Sequence, residues 1–115
     1  MSTGLIGLAS PASAATCYGS AHSYTKAEGP ITYPAAQGSY LYTTGNCADI
    51  NIKTNSASEV LACFYPTSGD PYCAERGYVD TKAGIWAVLA TDVKDGTKFK
   101  LYFATRAAST GVWAA

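Results

Sequence analysis

Hydrophobic and polar residues alternate with a period of two over several stretches of this chain, the signature of half-buried β-strands. Lys98-Phe99-Lys100-Leu101-Tyr102-Phe103 is the cleanest case: Phe99, Leu101 and Phe103 fall on one side, Lys98, Lys100 and Tyr102 on the other. Ahead of it, Gly84 to Thr91 is an apolar run, and Lys94-Asp95-Gly96-Thr97 separates the two. Asp-Gly supplies the positive φ that tight turns need, so residues 84–91 and 98–103 are expected to form a hairpin. Cys47 to Lys53 alternates in the same way, with Ala48, Ile50 and Ile52 inward and Asp49, Asn51 and Lys53 outward. The turn Thr44-Gly45-Asn46 before it makes Ser39 to Thr43 its expected hairpin partner.

Glu59 to Tyr65 is apolar on both faces, which suits a central strand, and Gly77 to Thr81 reads as a short one. Asn55 to Ala62 is the best helical candidate, although a turn running into a strand fits it too. Residues 16–38, broken by Gly29-Pro30, Pro34 and Gly38, are expected to form an irregular extended arm or edge strands. Turn residues recur at intervals of roughly 8–12 positions, the rhythm of sandwiches and barrels. The prediction is an all-β fold, a small antiparallel sandwich or barrel formed by residues 16–115.

Composition adds a compartment. Residues 1–15 read as a leader, in which Leu5, Ile6 and Leu8 run into the small-x-small pattern Ala12-Ser13-Ala14 that signal peptidase cleaves. No Lys or Arg precedes the apolar stretch, so it is expected to be the tail of a signal peptide; a flexible Ala/Ser/Gly leader is the alternative. All four cysteines, Cys17, Cys47, Cys63 and Cys73, follow it. An even number in a short exported chain predicts disulfides. Loop closure favours Cys17–Cys47, tying the arm to a strand, and Cys63–Cys73, closing the turn-rich excursion over residues 64–72 at its neck. Ligation of a metal by the four thiolates would call for a C-x-x-C spacing that is absent, and no cofactor is expected. No segment approaches the roughly 18 apolar residues of a membrane helix. The 8 basic and 8 acidic residues are dispersed, with no basic face for phosphates, so neither nucleic acid nor membrane is an expected partner.

Candidate chemistry changes the picture little. His22 is the one histidine, it lies in the irregular arm, and no nucleophile-elbow pattern surrounds a serine, so an exposed loop residue is expected. Asp70, Asp92 and Asp95 fall at turns, where the local hydrogen bonding of Asp explains them, and Asp49 belongs to a wet strand face. The aromatic residues are more unusual: nine tyrosines against three phenylalanines and two tryptophans. Tyrosine combines a flat apolar ring with a polar rim and is enriched at contact surfaces. Tyr40 and Tyr42 share a strand face, while Tyr65 and Tyr72 bracket the excursion that also carries Thr67. These five residues are the candidate binding positions. Trp86 and Trp113, with apolar neighbours, are expected in the core.

The leader ending Ser-Pro-Ala-Ser-Ala-Ala, the early Cys17, the Gly45-Asn46-Cys47 turn, the Leu61-Ala62-Cys63 strand and the segment from Trp86 to Phe99 carry a likeness. Together they resemble small secreted proteins of filamentous actinobacteria, including the spore-associated protein A type. The resemblance implies no specific activity; such small disulfide-bonded β-proteins include hydrolase inhibitors and adaptor subunits of secreted toxin particles. The expectation is a secreted, non-enzymatic interaction module or adaptor that binds another extracellular protein. Two alternatives stand beside it: an inhibitor of a secreted hydrolase presenting the Cys63–Cys73 loop, and a glycan- or cell-wall-binding module using Tyr40 and Tyr42.

Overall fold

A computed structural model describes the backbone of residues 11–115 and the side chains of residues 15–115. The chain opens with the alanine-rich helix α1 (Pro11–Gly19) and continues entirely in strands and turns: β1 (His22–Lys26), β2 (Thr32–Tyr33), β3 (Leu41–Tyr42), β4 (Ile50–Thr54), β5 (Ser58–Phe64), β6 (Tyr72–Cys73), β7 (Val79–Thr81), β8 (Trp86–Ala90), β9 (Lys98–Phe103) and β10 (Ser109–Ala114). Every pairing is antiparallel. Sheet I runs β1-β10-β4-β8. Sheet II is built on β9 and β5, with β2 and β3 sharing the far side of β9 and β6 and β7 sharing the far side of β5.

The two sheets face each other across one core. Tyr24, Ile50, Ile52, Leu89 and Trp113 enter it from sheet I; Val60, Ala62, Phe64, Phe99, Leu101 and Phe103 enter from sheet II. This is the predicted all-β antiparallel sandwich, and both bridges form as favoured, Cys17–Cys47 and Cys63–Cys73. In the chain-entropy account, bridges spanning 30 and 10 residues stabilise the fold by about 4 and about 3 kcal/mol.

The strands form where alternation places them, but the predicted hairpins do not. Residues 41–42 pair with β9 rather than β4, and β8 pairs with β4 rather than β9. The turn at Asp95-Gly96 is real, with Gly96 at φ +78°, yet it carries the chain from sheet I to sheet II. It is tied to Thr43, whose hydroxyl donates to the Lys94 carbonyl (2.6 Å) and accepts from the Thr97 amide (2.8 Å). A turn reverses the chain, but only the packing of side chains decides whether the returning strand stays in its own sheet. Residues 55–62, the helical candidate, take the other reading, a turn into β5.

Of the two readings of residues 16–38, an extended arm or edge strands, the strands form. Residues 22–26 are an edge strand paired along its whole length with β10, and residues 32–33 pair with β9. His22 lies on β1 and packs its ring on Trp113, with centroids 4.7 Å apart, so it is exposed but not in a loop. Lys26 on the same strand is only 2% exposed.

Helix α1 lies on the outer face of sheet I, where Cys17 joins Cys47 and Ala114 in a satellite cluster and Tyr18 stacks flat on Trp86 (4.4 Å, 11°). A nine-residue helix is marginal alone; the bridge and the stack hold it. It also corrects two expectations. Trp86 is half-buried beneath the helix, outside the main core, and Asn51, predicted outward and wet, is covered and donates to the Ala114 carbonyl (3.2 Å). Of the predicted leader, residues 1–10 lie outside the described residues, and residues 11–15 belong to α1.

Candidate functional site

The outer face of sheet II gathers most of the tyrosines. Because Phe99, Leu101 and Phe103 point into the core, Lys98, Lys100 and Tyr102 point out along β9. On β5 the outward set is Glu59, Leu61 and Cys63, with Leu61 opposite Tyr102 and Cys63 opposite Lys100. On one flank Tyr42 stands opposite Lys98; on the other Asp80 stands opposite Glu59. Alternation around Val79, whose side chain packs on the core, puts Tyr78 on the side of Asp80.

The rings at one end interlock. Tyr40 packs on Tyr65 with centroids 5.1 Å apart, and the hydroxyls of Tyr65 and Tyr102 are hydrogen-bonded. The ammonium groups of Lys98 and Lys100 lie 4.6 and 5.3 Å from the centre of the Tyr40 ring. Lys100 was expected in solvent, but the β2–β3 connection folds over it, leaving 7% exposed; its Nζ donates to the carbonyls of Pro34 and Ala36, both at 3.1 Å. Backbone carbonyls and an aromatic face thus replace water around this charge.

Burial, the hydrogen bond to Tyr102 and the neighbouring phenols of Tyr102 and Tyr40 push the Tyr65 hydroxyl well above its ordinary range. Burial also raises Tyr24 in the core, partly offset by its bond to Ser109 (2.9 Å). A raised pKa favours the neutral phenol in the folded state, so this stabilisation is complete below about pH 10, where unfolded tyrosine ionises. It declines as the pH climbs from there toward the folded values. Urea midpoints measured between about pH 8 and about pH 11.5 are expected to drop beyond pH 10, and Tyr65→Phe is expected to flatten that drop.

Three of the five sequence candidates, Tyr40, Tyr42 and Tyr65, therefore share one face. Tyr42 is 53% exposed and Tyr78 44%. Tyr78 and Tyr102 belong to the same surface and were not singled out; the outward position of Tyr102 in the Lys98–Phe103 alternation was the available signal. Tyr72 and Thr67 do not join it. Tyr72, paired with the inward-pointing Phe64, packs on that ring at 5.1 Å and lines an open groove of about 520 Å3 with Ala74, Ala90 and Val93. Thr67 is exposed on the loop that the Cys63–Cys73 bridge closes.

Among the described residues no group of three or more His, Cys, Asp or Glu side chains is placed to hold a metal ion. No helix among them is long and apolar enough to cross a membrane. No family model, curated protein or solved structure matches this chain. The reading of the site therefore rests on its own geometry. Two disulfides fit an oxidising, extracellular compartment.

Proposed function

We propose that this chain is a secreted, non-enzymatic binding module that engages another extracellular protein through the outer face of sheet II. The observation that carries the reading is the convergence of Tyr40, Tyr42, Tyr65 and Tyr102 on that one face. Tyrosine rings give large contact area at small entropic cost, and the interlocked set at Tyr40, Tyr65 and Tyr102 is already rigid, which favours binding by preorganisation. The leader and the resemblance to small exported actinobacterial proteins agree with a role outside the cell.

The test is capture from culture supernatant by the tagged mature protein, run beside Tyr42→Ser/Tyr78→Ser. Both side chains are substantially exposed, so the variant is expected to keep its fold. Stoichiometric recovery of a partner by the wild type, reduced roughly tenfold or more in the variant, is expected. Equal recovery by both proteins, or recovery of no partner, removes the proposal.

A second reading draws on the loop from Pro66 to Cys73, which is exposed throughout and closed by the bridge between the paired residues Cys63 and Cys73. Such a loop suits insertion into the cleft of a hydrolase, with Thr67 near its tip. Inhibition of a secreted hydrolase that Thr67→Gly abolishes and Tyr42→Ser/Tyr78→Ser leaves intact would move the contact from the sheet to the loop.

A further inference from the structure

The same face separates its charges. At one end, Glu59 and Asp80 stand directly opposite each other on β5 and β7. Like charges in that arrangement repel. Neither carboxylate has a hydrogen bond or an ion pair with any described residue; Glu59 is bonded only through its backbone, where its carbonyl accepts from the Ala104 amide. At the other end, Lys98 and Lys100 both lie over the Tyr40 ring. Lys100 is covered and bonded only to carbonyls, which leaves the half-buried Lys98 as the accessible ammonium, and among the described residues no carboxylate neutralises either. Counted along β9 from the level of Glu59 to Lys98, the two ends lie about 20 Å apart. Leu61, Tyr102 and the Cys63–Cys73 bridge lie between them.

A surface that is acidic at one end, basic at the other and apolar between them is complementary to itself. A two-fold axis lying in the interface, bisecting the line between the ends, sets the acidic pair of one copy on the lysine end of the other and repeats the contact symmetrically. From this we infer that, when no other partner is bound, the outer face of sheet II closes on a second copy of the chain. The inference rests on the reading of this face as a protein-contact surface and names what occupies it in the isolated protein.

The dimensions make the dimer weak. Four strand lanes about 4.8 Å apart and about 20 Å long give about 400 Å2 on each copy, or about 800 Å2 in total. Stable interfaces bury about 1,200–2,000 Å2, so a dissociation constant in the tens of micromolar is expected. Charge pairing at both ends then makes the association sensitive to salt.

Sedimentation equilibrium of the full chain tests this. The wild type is expected to dimerise in about 50 mM NaCl, with affinity falling roughly tenfold in about 500 mM. Lys98→Glu, which puts a carboxylate in place of the accessible ammonium at the basic end, and Glu59→Lys/Asp80→Lys, which turns the acidic end basic, are each expected to be monomeric. The double reversal keeps a like-charge pair across β5 and β7, so it changes the sign of the end without adding strain to the sheet. Mixed together, the two variants are expected to form a heterodimer. A wild type that stays monomeric at low salt up to several hundred micromolar overturns the inference. So does a dimer that neither salt nor either reversal weakens, or a mixture of folded variants that does not associate. Loss of partner capture in Tyr42→Ser/Tyr78→Ser is scored separately: if it holds while the dimer fails, the contact face stands and only its self-pairing is wrong.

Discussion

Gly111→Ala is expected to destabilise the protein by about 3 kcal/mol or more, a large share of the 5–15 kcal/mol typical of a domain. Gly111 sits in the middle of β10, flanked by β1 and β4. A Cβ built there would lie 2.3 Å from the Lys53 carbonyl oxygen, 2.9 Å from Cε1 of Tyr24 and 3.0 Å from the Cα of Thr54. The first and third of these atoms are backbone, so relief requires β4 and β10 to separate along a ladder that both sheet I and the core depend on. The Tyr24 ring lies over the glycine from the directly opposite position, fills the space a side chain would take and bonds Ser109 beneath it. Thermal unfolding followed by circular dichroism is expected to show a Tm lower by roughly 12 °C or more. A change within 3 °C would mean that β10 and β4 are not packed this closely.

Lys26 gives the second large effect. Its side chain is fully buried on an edge strand, and its ammonium group donates to the carbonyls of Pro30 and Ala107, with Ala27 at 3.4 Å, while lying 5.3 Å from the centre of the Phe103 ring. These bonds fasten the β1–β2 connection to the β9–β10 connection, where Arg106 adds a bond to the Gly29 carbonyl (2.8 Å). Lys26→Met keeps most of the stem but leaves the carbonyls without their donor, and a loss of about 2 kcal/mol is expected; Lys26→Ala adds a cavity and is expected to lose about 4 kcal/mol. Burial pushes the Lys26 ammonium below its ordinary pKa. A depressed folded pKa means that burying the charge opposes folding at lower pH, and that stability rises as the pH climbs from the folded value toward about 10.5. Chemical denaturation of wild type and Lys26→Met across that range is expected to show the rise only in the wild type. If Met proves neutral, the carbonyls are satisfied without the ammonium.

Individual strands were legible because alternation is local. Phe99, Leu101 and Phe103 announce an inner face whatever lies across from them, and the apolar run of β5 correctly implied a central position between β9 and β6/β7. Pairing was less legible, because it depends on residues far apart in the chain. Asp95-Gly96 marks a turn equally well for a hairpin and for a crossing between sheets. β10 escaped notice because Gly111 interrupts its pattern, and the reason for that glycine, the ring of Tyr24, lies 87 positions earlier. Lys100 and Asn51 read as solvent-facing on their own strands; a connection and a helix from elsewhere in the chain cover them.

The candidate site divides along the same line. A tyrosine excess is visible in composition, and Tyr40, Tyr42 and Tyr65 could be singled out from it. That Tyr102 joins them and Tyr72 does not follows from strand register: Tyr72 is matched to the inward-facing Phe64, whereas Tyr102 is matched to the outward-facing Leu61. Charge separation along the face was also hidden, since acids and bases are evenly spread in sequence and segregate only when β5, β7 and β9 align.

Hydroxyl-radical footprinting of the tyrosines tests the contact face most directly, comparing dilute free protein with protein bound to its captured partner. Tyr18, on the outer face of sheet I, and Tyr72, in the groove beside Phe64, serve as internal controls because both are exposed away from the proposed surface. Binding is expected to protect Tyr42 and Tyr78 strongly and to leave Tyr18 and Tyr72 unchanged. Protection of Tyr18 or Tyr72, with Tyr42 and Tyr78 as reactive as before, would contradict the assignment of binding to sheet II.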